Sequence, residues 1–260
     1  MAQILGKADK PVRFKRIKLS DQVAEDLRRK IAHEKMVPGD RLPHEKALME
    51  HYGCSKGTIR EALKALEVEG LIAMQSGPNG GPEIQPASLE IVMQQLRQYL
   101  HFQTLTFKDV YELRKSLEVI LALNVVGKLT EDDYRKLETN IATCVEAGKS
   151  NNRPLGRSAE TEFHDILCDA SDNPLLVFIC RFLNSLLRDL VSYSSDSLTE
   201  HEQFGDHNIS SHIELLEAFK KQDKDAVTRV MKEHMCCAED FMCRLDAAFN
   251  SDLLSRTNPV

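Results

Sequence analysis

Glu160 and His164 stand four residues apart in the stretch ETEFH. On a helix, residues at i and i+4 share one face with Cβ atoms about 6 Å apart. A carboxylate and an imidazole in that relation can grip one divalent ion, or form a plain polar pair on a solvated face. Two donors seldom hold a metal. Others exist downstream: His212 opens HIELLEAF, and His234 closes VTRVMKEH. Side chains from separate helices converge on the interior of a bundle, so these imidazoles could join the first pair there. Arg114 and Glu118 in YELRKSLE also share a helix face. Arg114 can take a ligand carboxylate in its bidentate fork, or it can pair internally with Glu118. A metal with an open position can also activate water, which admits an enzyme. Against that reading, the chain has no HExxH, no serine or cysteine nucleophile motif and no glycine-rich phosphate loop.

The elements that must position these groups follow from composition and periodicity. At 260 residues with 42% hydrophobic content, the chain is long enough for two packed domains. It has no run of about 18 apolar residues, and MAQILGKADKPVRFKR has no apolar core followed by a small-residue cleavage site. No membrane partner and a cytoplasmic location are expected. Seven cysteines, an odd number without CxxC spacing, argue against a disulfide framework or a cysteine zinc knuckle. Charge is uneven. Residues 1–86 hold 15 Lys+Arg against 12 Asp+Glu, whereas the remainder holds 19 against 28. The first part could meet a polyanion and the second would not.

Along the chain, Val23, Leu27 and Ile31 recur every four residues after Ser20 and predict a first helix. VPGDRLP is a turn, HEKALMEHYG a short second helix ending at Gly53, and Ser55 caps a third with the apolar stripe Ile59, Leu63 and Leu66. LIAMQ and PEIQP are short extended runs bracketing the turn-rich SGPNGG. Three helices and a hairpin, with a tight turn between the second and third helices, make a winged helix-turn-helix. From Ser88 to about Phe249 the pattern predicts no strand. Amphipathic stretches near 89–102, 107–127, 131–147, 155–171, 174–195, 207–220 and 223–248 predict an all-helical bundle of six or seven helices. NSDLLSRTNPV is a frayed tail. The fold class is therefore mainly α, with a winged helix-turn-helix domain at 16–87 and an all-helical domain at 88–249.

The run VAEDLRRKIAHEKMVPGDRLPHEKALMEHYGCSKGTIREALKALEVEGLI resembles the DNA-binding domain of the GntR family of bacterial transcription regulators. The segments YELRKSLE, FHDILCDASDNPLL and SSHIELLEAFKKQDKDAVTRVMKEHM resemble the FCD ligand-binding domain of its FadR-type subfamily. The first resemblance implies DNA contacts by Arg41, Lys46, Ser55, Lys56, Thr58 and Arg60, with Ser76 at the wing tip. Arginine and lysine donate to guanine or phosphate, and hydroxyls near a helix N-terminus reach phosphate oxygens. The second resemblance implies a metal held by Glu160, His164, His212 and His234. In this family an acidic residue precedes a histidine by four and two later helices supply the others, and glutamate stands here where aspartate is usual. Three imidazoles and a carboxylate suit Zn²⁺, with Ni²⁺ or Mn²⁺ as alternatives, and leave positions for water or a ligand. It also implies Arg114 as a contact for a small carboxylate effector. The expectation is a homodimeric regulator, a repressor, on double-stranded operator DNA and not an enzyme. A direct metal sensor and, behind it, a helical metalloenzyme are the rival readings.

Overall fold

The structure is a computed structural model that describes residues 17–77, 80–86, 88–103, 105–193, 198–245 and 247–249. These fall into two compact units, within Met1–Val92 and Met93–Val260.

In the first unit, α1 (Leu19–His33), α2 (Glu45–Tyr52) and α3 (Lys56–Val68) precede a hairpin of β1 (Ile72–Gln75) and β2 (Gly81–Ile84). The apolar stripe read from the sequence is the core: Leu27, Leu48, Ile59, Leu63 and Leu66 pack in one cluster with Ile72 and Ile84 from the hairpin. The hairpin is antiparallel, pairing Ile72 with Ile84 and Gln75 with Gly81. VPGDRLP does more than turn. Its backbone bonds along β2, with Leu42 N donating to Pro82 O at 2.9 Å and Ile84 N to Asp40 O at 2.8 Å, so the wing is tied to the body of the unit. Between α2 and α3 the chain turns through Gly53, whose φ of 60° lies in the left-handed region that a side chain disfavours. Ser55 then caps α3 by accepting from Thr58 N at 3.2 Å. Of the wing tip, Ser76 is described and exposed, while Pro78 and Asn79 lie outside the described residues.

Among the described residues seven helices follow: α4 (Leu89–His101), α5 (Phe107–Val125), α6 (Glu131–Lys149), α7 (Arg153–Asp169), α8 (Pro174–Leu190), α9 (Leu198–Lys220) and α10 (Lys224–Arg244). Their starts are fixed locally. Thr106 with Asp109 and Thr130 with Asp133 form capping boxes, and Asn152 and Asp223 accept from the backbone three residues on. Leu121, Leu137, Phe163, Leu167, Phe219 and Met231, from five different helices, are fully buried in one core. None of the described helices is long and apolar enough to cross a membrane.

Two expectations for this half need correction. The predicted absence of strands fails, because β3 (Val191–Tyr193) pairs antiparallel with β4 (Ala247–Phe249). Strands of three residues are too short to leave a period-two signal, and their pairing spans more than fifty residues of sequence, so neither end advertises the other. Helix α9 also begins at Leu198, well before 207. The polar run LTEHEQFG looks like a loop, but Phe204 is buried with Phe241 and Tyr111, and that packing outweighs the roughly 1 kcal/mol that Gly205 costs inside a helix. The expected frayed tail at 250–260 lies outside the described residues.

A Cβ built on Gly53 meets nothing within 4 Å, so a substitution there is charged only for its backbone conformation. Gly53→Ala is expected to lower unfolding free energy by about 1 kcal/mol in urea titration. An unchanged midpoint would mean that the turn relaxes out of the left-handed region.

Candidate functional site

Helices α7, α9 and α10 each bring one histidine to the same point. His164, His212 and His234 are 3%, 1% and 2% exposed. Each offers a ring nitrogen, and these nitrogens lie within 4.8 Å of one another. The Nε2 atoms of His164 and His234 are 3.4 Å apart. Packing fixes the rings. His212 stacks on Phe163 with centroids 3.8 Å apart and planes 8° from parallel, and the rings of His164 and His234 are parallel to within 7°. Among the described residues, neither nitrogen of His212 nor Nδ1 of His234 has a hydrogen-bond partner. Burial, followed by the nearby charges, pushes both imidazoles well below 6.5, so they are neutral near pH 7. Neutral imidazole is the form that ligates a metal. Buried polar atoms are almost always satisfied, and each orphan costs about 1–3 kcal/mol. Three histidines that each bring one ring nitrogen to within 4.8 Å of the others, two of them with unpartnered nitrogens, therefore fit a divalent cation that three nitrogen ligands can hold.

His164 differs from the other two. Its Nδ1 lies 2.9 Å from Glu118 Oε2, and Glu118 is 1% exposed. The other carboxylate oxygen of Glu118 accepts from Arg114, at 3.2 Å from Nη2 and 3.4 Å from Nε. Burial alone would raise the Glu118 carboxyl, but His164 and Arg114 outweigh it and hold the group down to about 2. Arg114 is itself buried, with its guanidinium 5.4 Å from the centre of the Tyr111 ring. The internal pair anticipated as one alternative for Arg114 is thus formed, while Arg114 also lines the cavity with the three histidines.

Glu160 lines this cavity too but stands outside the tight group of three nitrogens. It is half-buried, and burial pushes its carboxyl up to about 7 against the opposing effects of a hydrogen bond with Asn208 and the charge of Arg157. The cavity is small, about 50 Å³, enough for an ion and a headgroup but not for a whole metabolite. A second cavity of about 300 Å³ between α6, α7 and α9 shares Arg157, Glu160 and Phe204 with it.

In the first unit four of the anticipated DNA contacts, Ser55, Lys56, Thr58 and Arg60, lie at the N-terminal cap and first turns of α3. Ser55 and Thr58 hydroxyls are 3.0 Å apart, which leaves them together at the helix N-terminus. Arg60 Nε donates to both oxygens of Glu45 at 2.9 and 3.2 Å, and Lys56 reaches the same carboxylate at 3.9 Å. Arg41 pairs with Glu83 of β2 at 3.5 Å, and Lys46 and Ser76 are exposed. Sequence reasoning missed two partners. Glu45 could have been guessed, because α2 and α3 of a helix-turn-helix must cross. Glu118 as the partner of His164 had no such signal: the two are 46 residues apart, and only the Arg114 spacing drew attention to it.

Residues 109–236 match the FCD domain family, and residues 19–78 match the family described as bacterial regulatory proteins, gntR family. The chain is 33% identical over 159 residues to the HTH-type transcriptional regulator LutR of Bacillus subtilis (strain 168), covering 60% of this chain and 70% of that protein. It is 26% identical over 233 residues to a protein named for regulation of an L-lactate dehydrogenase operon in Escherichia coli (strain K12), covering 88% of each. It is 26% identical, again over 233 residues, to the HTH-type transcriptional repressor NanR of Cronobacter sakazakii (strain ATCC BAA-894), covering 85% of this chain and 84% of that one. Among solved structures, Streptococcus agalactiae GntR shares the fold, with a TM-score of 0.55 and 22% identity over 85% of this chain and 99% of the other.

The orphaned nitrogens make a stability prediction. His212→Phe keeps the stack on Phe163 and removes two unsatisfied polar atoms, each costing about 1–3 kcal/mol. In urea with excess chelator the variant is expected to be at least as stable as the native protein. A loss of about 2 kcal/mol or more would show that protein partners satisfy the imidazole.

Proposed function

The chain belongs to the bacterial GntR family of regulatory proteins and carries an FCD domain, and from that premise we propose that its helical unit senses a small carboxylate beside a divalent metal. It is a DNA-binding transcription regulator, not an enzyme. The observation that carries the proposal is the trio of buried imidazoles whose ring nitrogens lie within 4.8 Å of one another, those of His212 and His234 including nitrogens without a partner among the described residues, set in one cavity with Arg114. When bound, a zinc or similar ion would supply a Lewis-acidic anchor for an effector oxygen. His164, His212 and His234 would hold it, with Glu160 as the adjoining carboxylate. Arg114 would take the remaining carboxylate oxygen, and the effector body would extend past Arg157 and Glu160 into the larger cavity. A relative named for a lactate dehydrogenase operon supports a small carboxylate as the class.

On this reading the protein is a cytoplasmic homodimer acting as a repressor on a pseudo-palindromic operator. Ser55 and Thr58 reach phosphate at the start of α3, Lys56 and Arg60 read guanine or bind phosphate, and Arg41, Lys46 and Ser76 contact the backbone. Exposed ion pairs contribute little, about 0–1 kcal/mol, so Glu45 can pair with Arg60 and release it to DNA at small cost. Effector binding shifts the dimer between DNA-competent and DNA-incompetent states by no more than its differential affinity for them. One observation favours a second reading. Arg114 is already paired with Glu118, and the cavity at the histidines is only about 50 Å³, which would suit a protein whose signal is the metal itself.

Melting temperature across a panel of small carboxylates, with and without chelator, tests the proposal, because a ligand that binds only the folded state must raise it. A rise abolished by chelator is expected, and His212→Ala should abolish it too. If no carboxylate acts while zinc alone changes operator affinity, the second reading replaces the first. For the DNA half, Arg60→Ala should lose operator preference while keeping salt-dependent non-specific binding. Retained discrimination between operator and random duplex would remove Arg60 from base readout.

A further inference from the structure

We propose that Glu118 is a positioning residue for the metal: its carboxylate fixes the proton of His164 on Nδ1 and aims the Nε2 lone pair at the point shared with His212 and His234. The inference rests on the metal reading above and adds to it a residue outside the ligand set. A carboxylate that already takes the Arg114 guanidinium on one oxygen is an acceptor on the other, so at 2.9 Å the Nδ1 of His164 is the donor and Nε2 is the nitrogen left to ligate. That Nε2 lies 3.4 Å from Nε2 of His234.

The carboxylate is not free to move. Its Oε1 receives Arg114 and its Oε2 receives His164, so a rotation that serves one loses the other. Both Glu118 and Arg114 are buried, on consecutive turns of α5, while His164 comes from α7. His212 and His234 have no equivalent: among the described residues, Nδ1 of each lacks a hydrogen-bond partner. Of the three imidazoles, His164 is therefore the one whose tautomer and ring direction are set by a protein carboxylate before any ion arrives. A metal-ligating histidine that donates its other nitrogen to a carboxylate is a stronger ligand, and loss of such a partner typically weakens metal binding by about 10–100-fold.

Zinc affinity of the full-length protein, read by competition with a chromophoric chelator, tests this alongside the His164 tautomer read by ¹⁵N NMR of the metal-free protein. Glu118→Gln offers an amide oxygen but no charge, so it should keep the Nδ1–H tautomer and bind zinc about tenfold more weakly. Removing Glu118 altogether strands the buried charge of Arg114 and invites misfolding, so the decisive comparison is R114M/E118L, which removes both charges, against the native protein. Replacing a buried pair with apolar groups is often neutral for folding. The double variant should bind zinc about 10–100-fold more weakly than the native protein and lose the fixed tautomer. A merely structural Glu118 would leave both readouts unmoved. Zinc affinity within about twofold of the reference in both tests, with His212→Ala still impaired, overturns the role of Glu118 while leaving the metal site intact. If His212→Ala also binds zinc like the native protein, the metal reading itself falls, and this inference with it.

Discussion

The helical unit is organised around a costly act, the burial of imidazole nitrogens with nothing to bond. A neutral imidazole taken out of water without partners loses free energy that hydrophobic packing must return. Here two rings with unpartnered nitrogens, His212 and His234, meet His164, whose Nδ1 is bonded to Glu118. Phe163, next to His164 in sequence, stacks on His212, and the apolar core of Leu121, Leu167, Phe219 and Met231 surrounds the group. The bundle thus spends part of its packing energy on a polar centre whose nitrogens lack partners among the described residues. Such a centre leaves the fold weaker than its core would allow, and a ligand that satisfied it would stabilise the fold.

The same logic separates His164 from its companions. Arg114, Glu118 and His164 form a continuous buried chain of ionic and hydrogen-bonded contacts between α5 and α7. Each member is bearable in the interior only because the next is present, since removing one partner of a buried pair leaves an uncompensated charge. Arg114 therefore faces two demands, the carboxylate it already holds and the one an effector would bring. The cavity it lines is small, and the larger cavity next to it begins at Arg157, Glu160 and Phe204.

In the DNA-binding unit the polar groups are handled in the opposite way. Arg60, Lys56 and Arg41 are exposed and paired with Glu45 or Glu83, where water screens the charges and the pairs are easily exchanged. The backbone beneath is rigid for local reasons: a left-handed glycine at the turn, a serine cap on α3 and a wing tied back to the segment after α1.

Most of the secondary structure was legible because its causes are local. Apolar spacing marks α1, α3 and the bundle helices, while Gly53 and Ser55 mark the turn between α2 and α3, and each of these signals acts within a few residues of the place it determines. The resemblance of TIREAL and FHDILCDASDNPLL to known families supplied the role of the chain. Hydrophobic periodicity also implied a helical interior that could gather His164, His212 and His234, but not which nitrogens would face one another. Tertiary structure alone decided the rest, because those outcomes depend on contacts between distant segments. Phe204 extended α9 through a polar run by packing on Phe241, and β3 found β4 across the whole of α9 and α10. Glu118 met His164 from another helix, whereas Glu160, the expected carboxylate neighbour one turn away, stood outside the nitrogen trio. Sequence spacing fixes which residues share a helix face; only the packing of one helix against another fixes what that face meets.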